Sequence, residues 1–230
     1  MSDFRIQKLT WDSTFFGYKI GKVEINCTLN IKQLLEAIEK SPYDMVQLFS
    51  NKNLGSDFKY SPIDVKLTFS KKVATATTNN PCIKSVTKDL DGALVKLATQ
   101  AGIYSRYKTD KNLQMKYEDM YEIWMNKSIE RELAAEVFAF QDENRINGMV
   151  TINKKLKKAE IGLIAVDKKA QSKGIGTQLL QSVENWALKQ NLENICVATQ
   201  EENYNACQFY EKNNYKTSDK TYIYHIWKNA

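Results

Sequence analysis

The hexapeptide Gln171-Ser172-Lys173-Gly174-Ile175-Gly176 follows an apolar run, Ile161 to Val166, and leads into a stretch where Leu179, Val183 and Ala187 recur at helical spacing. A glycine-bearing turn from strand to helix is a place for an anion. Glycine lets backbone approach a ligand closely, and the N–H groups of a first helical turn have no carbonyl partner inside the helix. A pyrophosphate fits such a cradle, held by Gln171 to Thr177. Downstream, Asn203-x-x-Ala206-x-x-Phe209-Tyr210-Glu211-Lys212 sets a phenol, Tyr210, on a short helix as a candidate general acid. The chain has 12 tyrosines, so Tyr210 is equally suited by type to anchoring that helix in a core. Asn203 fits a helix cap as readily as a ligand contact.

Composition narrows the chemistry. At 230 residues, with 43% hydrophobic and 26% charged residues, the chain suits one large globular domain or two modest ones. No apolar run approaches the roughly 20 residues that span a bilayer, and Met1-Ser2-Asp3-Phe4-Arg5 lacks a secretory layout, so a cytoplasmic location without membrane insertion is expected. Cys27, Cys82, Cys196 and Cys207 form no Cys-x-x-Cys pair and read as reduced thiols. His225 is the only histidine, which excludes a metal site built on several imidazoles and leaves a Ser-His-Asp triad only that residue. The net charge of +6 favours anionic partners. Lys154, Lys155, Lys157 and Lys158 lie between two alternating segments and read as a solvated hairpin turn, so a phosphorylated small molecule is expected and nucleic acid is not.

The elements that must position these groups fall into two parts. Residues 1–80 read as an N-terminal α/β domain of short strands around one helix. Its strands include Val23 with Ile25, Met45 to Phe49, and Ile63 to Phe69; its helix carries Ile31, Leu34, Leu35 and Ile38 behind Asn30 as N-cap. Lys71 to Pro81 has no usable periodicity and reads as the linker. Residues 81–230 then predict a strand, helices over Leu90–Ala101 and Tyr117–Ala135, and three strands over Glu136–Phe140, Asn147–Ile152 and Ala159–Val166. The helix after the cradle, a strand over Asn194–Thr199, a helix over Asn205–Asn213 and a strand over Thr221–Trp227 follow. Strand, cradle, helix, strand is a crossover unit of an α/β fold.

The cradle followed by the Asn203 to Lys212 helix resembles the Gcn5-related N-acetyltransferases (GNAT), which move an acyl group from coenzyme A to an amine. The resemblance implies a splayed mixed sheet flanked by helices, with coenzyme A as co-substrate and no metal. The strand before the cradle would bind the pantetheine arm through the main chain of Leu163, Ile164, Ala165 and Val166. Gln171, Ser172, Lys173, Gly174, Ile175, Gly176 and Thr177 would hold the pyrophosphate, Asn203 would touch the cofactor, and Tyr210 would protonate the departing thiolate. Glu160 stands eleven residues before Gln171, the spacing of the general-base glutamate in the histone acetyltransferase branch. On the residues alone it also reads as a solvated strand residue, and water is the alternative base.

Within that superfamily the chain is similar to the bacterial dTDP-fucosamine acetyltransferases and related sugar-nucleotide N-acyltransferases. Leu9-Thr10-Trp11-Asp12-Ser13-Thr14-Phe15-Phe16-Gly17 resembles their N-terminal signature. Tyr104-Ser105-Arg106-Tyr107, with Asp110, Tyr121 and Trp124, resembles their Ser-Arg-Phe helix pair; Val197 to Gln200 and Tyr224-His225-Ile226-Trp227 complete the likeness. Tyr107 departs from the commoner Phe, and Asn214 from a Gly; Asn tolerates the left-handed backbone such a position asks for.

This branch implies direct transfer of an acyl group, acetyl in the first instance, to the amine of a dTDP-linked aminodeoxyhexose for surface polysaccharide, in a homodimer. Trp11, Phe16, Ser105, Arg106, Tyr107 and Trp124 would then meet the acceptor. Their ordinary readings are core packing for the aromatics and a loop pairing for Arg106. The rival activities are acetylation of a peptide or small-molecule amine, and an acyl-CoA-binding regulatory module without turnover.

Overall fold

In the computed structural model, residues 5–25, 31–56, 58–73, 78, 80–89, 91–143 and 145–228 are described. Two compact units interleave along the chain. One comprises Met1–Leu67, Gln200–Glu202 and Asp219–Ala230; the other comprises Thr68–Thr199 and Asn203–Ser218.

In the first unit, β1 (Gln7–Lys8), α1 (Thr10–Phe16), β2 (Ile20–Ile25), α2 (Ile31–Lys40) and β3 (Met45–Ser50) are followed by the start of β4 (Asp64–Lys72) and most of β10 (Lys216–Trp227). β2 runs parallel to β3, and β1 and β10 pair antiparallel with β2 and β3. The 3.6-residue spacing of Leu34 and Ile38 lays α2 over Val23, Ile25, Val46, Leu48, Tyr224 and Ile226, all buried. Asn30, expected to cap α2, and Cys27 lie outside the described residues. The single helix expected here is corrected to two. Ser13 ties the first turn of α1 by donating its hydroxyl to Leu9 O at 2.6 Å, and Gly17 ends the helix at φ 81° with its N–H on Ser13 O.

In the second unit the end of β4 is followed by β5 (Ile83–Ser85), α3 (Ala93–Ala101), α4 (Arg106–Thr109), α5 (Tyr117–Ile129), β6 (Glu136–Asp142), β7 (Arg145–Lys155) and β8 (Lys158–Val166). Then come α6 (Ile175–Lys189), β9 (Asn194–Gln200) and α7 (Tyr204–Lys212). The sheet order is β4-β9-β8-β7-β6-β5, antiparallel from β5 to β8 and parallel between β8 and β9. This is a mixed, open α/β sheet flanked by helices. Its core holds Val137, Ala139, Met149, Val150, Ile152, Ala159, Ile161, Leu179, Val183, Ala187, Ile195 and Val197. The lysine hairpin forms as expected, turning through Leu156 at φ 55°.

Several expected boundaries move, and the two helix ends move for local reasons. α3 starts at Ala93 because the Asp89 carboxylate accepts the N–H groups of Leu94 and Val95 at 3.2 and 3.0 Å, with Gly92 left-handed. α5 stops at Ile129, six residues early, where Arg131 turns left-handed and the N–H groups of Glu132 and Leu133 fold back onto Lys127 O. Lys71 and Lys72, expected in the linker, continue β4, and the last strand begins at Lys216. Among the described residues no helix is long and apolar enough to cross a membrane, and no group of His, Cys, Asp and Glu is placed to hold a metal.

Candidate active site

Pairing of β8 with β9 runs from Lys158 opposite Asn194 to Ile161 opposite Val197 and ends there, while β8 continues to Val166 against β7 alone. The register between β7 and β8 shifts between Val150 and Ile152, so β8 carries an extra residue at the point where β9 departs. Thr151 holds this bulge: its hydroxyl accepts the Leu163 N–H at 2.9 Å. A Cβ on residue 162 would lie 2.9 Å from the same oxygen, which only Gly162 avoids.

The ladder beyond the bulge decides which main-chain groups are left over. Asp167 donates its N–H to Asn147 O at 2.8 Å. Hydrogen-bonded and non-bonded pairs alternate in an antiparallel ladder, so Ala165 bonds to Met149, whereas Ile164 and Val166 turn their N–H and C=O groups to the edge that β9 has left. Such an edge accepts an extended, amide-bearing chain as it would a strand. Two side chains already reach it: Gln100 Nε2 on α3 and Gln171 Nε2 donate to Val166 O at 2.9 and 3.2 Å.

At the end of this edge the chain makes the cradle. Asp167 Oδ1 accepts the Lys169 N–H at 2.8 Å and starts a 3-10 turn over Lys168–Ala170. Ser172 (φ 63°) and Gly174 (φ 78°) are both left-handed, which curls the loop and aims successive N–H groups to one side. The first ladder bond of α6 is Gln178 N–H to Gly174 O, leaving the N–H groups of Ile175, Gly176 and Thr177 ahead of it. With the positive end of the helix dipole they make a place whose chemistry suits an anion. Gln171, Ser172, Lys173 and Gly174 are exposed, Gly176 and Thr177 half-buried and Ile175 buried. The two glycines have different reasons. Gly174 supplies the backbone angle, whereas a Cβ on Gly176 would meet the Phe209 ring at 3.0 Å.

Tyr210 is buried on α7, its ring among those of Phe69, Phe209 and Tyr215 with centroids 5.4, 5.4 and 6.0 Å away. Burial, with a smaller contribution from Cys207, pushes its phenol well above the ordinary tyrosine range, so it carries its proton at any physiological pH. Asn203 caps α7: Oδ1 accepts the Ala206 N–H at 3.3 Å and Nδ2 donates to Thr199 Oγ1 at 3.3 Å. Asn214 is left-handed at φ 64°, as its residue type allows. Glu160 is exposed and stands in register with Asn153 on one side and Cys196 on the other. Burial raises the pKa of the Cys196 thiol; Lys158 opposes the rise and Glu160 adds to it. Cys82, Cys196 and Cys207 are in no disulfide among the described residues.

Of the expected acceptor residues, four come together. Ser105 and Tyr107 are buried around α4, the Arg106 guanidinium lies 4.4 Å from the Tyr107 ring centroid, and Trp124 of α5 meets that ring edge-on at 5.9 Å. Arg106 Nη2 also donates to Tyr107 Oη at 2.8 Å. Trp11 and Phe16 belong to the first unit, where Trp11 stacks on Phe15 at 4.9 Å and Phe16 is buried. Thr151 and Gln100 have no counterpart in the sequence reading. Thr151 acts from the neighbouring strand and Gln100 from α3, each on a main-chain atom outside its own element, and no local pattern marks such a contact.

Solved structures of low identity share this fold. A conserved protein of Staphylococcus epidermidis ATCC 12228 is 12% identical with TM-score 0.60, over 90% of this chain and 85% of that one. A GCN5-related N-acetyltransferase of Sphaerobacter thermophilus is 10% identical with TM-score 0.51, over 90% and 73%. By sequence, residues of this chain are 35% identical to the uncharacterized protein YxbD of Bacillus subtilis (strain 168) over 75 residues, 33% of this chain and 46% of that protein. The chain thus spans about half the length of the curated relatives it matches. The pattern of the Acetyltransferase (GNAT) family matches residues 101–215, half of the 230 residues, and takes in the open edge of β8, the cradle and Tyr210. The chain belongs to the GNAT acetyltransferase family.

Proposed function

We propose that the protein is an acyl-CoA-dependent N-acyltransferase that acts by direct transfer onto the amine of a dTDP-linked aminodeoxyhexose. The observation that carries the first half is the edge that β8 turns to the gap, the N–H and C=O of Ile164 and the N–H of Val166, whose oxygen already takes Gln100 and Gln171, leading to the Ser172–Thr177 cradle. An arm of two amides ending in a pyrophosphate has that layout of acceptors and donors.

Coenzyme A would supply an acyl carbon activated as a thioester. The chain's part is binding, orientation and proton traffic. The cradle N–H groups would hold the pyrophosphate and the β8 edge would align the arm. Tyr210, kept neutral by burial, would give its proton to the sulfur as the thiolate leaves. Glu160, exposed on the same strand, would take a proton from the amine directly or through water. An amine with a reference pKa of about 7.7–8.0 needs little help to lose it.

For the acceptor, the Arg106-Tyr107-Trp124 group offers a guanidinium and an edge-on aromatic pair, which suit a diphosphate and a nucleobase. Acetylation of a peptide or small-molecule amine is the competing reading. The experiment is calorimetry with acetyl-CoA, then a panel of dTDP-aminosugars and simple amines scored by thiol release. Heat on binding with turnover confined to the sugar nucleotides is expected. Binding with turnover only on simple amines would replace the acceptor, and absence of binding would remove the transferase reading.

A further inference from the structure

Gln178 is the fourth helical residue of α6, one turn in from the cradle. Helical side chains lean toward the N-terminus, and this one reaches back until its Nε2 is 3.7 Å from the point a Cβ on Gly174 would occupy. An amide donor therefore stands beside the left-handed glycine of the loop. What orients it comes from far outside the cradle. Asn80 Nδ2 donates to Gln178 Oε1, so the carbonyl end of Gln178 is turned to Asn80 and its NH₂ end toward Gly174. Asn80 is itself fixed, because its Oδ1 accepts the Cys82 N–H at 2.7 Å and its main-chain oxygen accepts the Ile83 N–H at 3.0 Å. Asn80 precedes the family match at residues 101–215 and falls in the stretch that the sequence marks as linker.

We infer that Gln178 is a phosphate-binding side chain of the cradle and that Asn80 is the positioning residue that aims its amide. This inference rests on the acyl-CoA reading above. An amide bonded to a phosphate oxygen is a charge-assisted hydrogen bond, so its loss is expected to weaken coenzyme A binding by about 10-fold.

The test is calorimetry of coenzyme A on the full chain and on the Gln178→Met, Gln178→Glu, Asn80→Ala and Asn80→Ala/Gln178→Met variants, with each thermal midpoint measured alongside. Gln178→Met keeps the length of the side chain and removes the donor; Gln178→Glu also sets a carboxylate against the phosphates and is expected to bind more weakly still. Asn80→Ala is expected to weaken binding by less than Gln178→Met, and to add nothing in the double variant because it acts only through Gln178. Wild type that binds while Gln178→Met binds equally well overturns this inference alone, as does additive loss in the double variant. Wild type that gives no heat removes the acyl-CoA reading, and this one with it.

Discussion

Phe209 on α7 stands 3.0 Å from where a Cβ on Gly176 would be, so the second glycine of the cradle is fixed by a neighbouring helix rather than by ligand alone. Gly176→Val is expected to cost about 1–3 kcal/mol of stability. Phe209→Leu in the same chain should recover part of it. Urea unfolding of the two single variants and the double measures the coupling; strict additivity would show that the ring is not the obstacle.

Tyr210 carries the sharpest kinetic expectation. Tyr210→Phe keeps the ring among Phe69, Phe209 and Tyr215 and removes only the hydroxyl. Turnover is expected to fall by about 10²- to 10⁴-fold while acetyl-CoA affinity stays within about twofold. A parallel loss of binding and turnover would make the residue structural.

Thr151 should matter through Leu163. Thr151→Val removes the acceptor of the Leu163 N–H and is expected to cost about 1–2 kcal/mol and to weaken acetyl-CoA binding. Thr151→Ser keeps the hydroxyl and should restore both. The check is a thermal scan beside a binding isotherm; a Ser variant as poor as Val would count against the bond.

Lys71 and Glu184 pair at 2.6 Å with side chains 20% and 8% exposed. Removing one partner leaves a largely buried charge, so Lys71→Met or Glu184→Gln alone is expected to cost about 2–3 kcal/mol. The double replacement Lys71→Met/Glu184→Leu should be milder than either single change. Chemical denaturation of the three variants decides it.

Tyr117, Tyr210 and Tyr215 are buried, and desolvation raises each phenol above its ordinary value. The folded state therefore holds these protons when the unfolded chain releases them. Below about pH 10 both states are protonated and nothing is lost; above it each phenol removes up to about 1.4 kcal/mol of stability per pH unit. Melting temperature should be level from pH 8 to about 9.5 and fall beyond it, with a shallower fall in Tyr210→Phe. An unchanged slope in that variant would contradict the burial argument.

The amino-acid sequence by itself determined the elements and the chemistry that sit close together along the chain. Hydrophobic spacing places α2 and α6, alternation places β7 and β8, and Gln171 to Gly176 marks the glycine-bearing turn from strand to helix, because these signals arise within a few residues of backbone. Helix ends were less legible. The stop of α5 depends on Arg131 turning left-handed, and the start of α3 on Asp89 reaching forward to two N–H groups, neither of which periodicity records. The tertiary structure alone decided what the site is made of. Where β9 leaves β8, which of Leu163 to Val166 face the gap, why residue 176 has no side chain, and how Asn80 comes to lie against Gln178 are all set by contacts between segments distant in sequence. Such contacts exist only once burial of the core has brought the segments together, so no local pattern announces them.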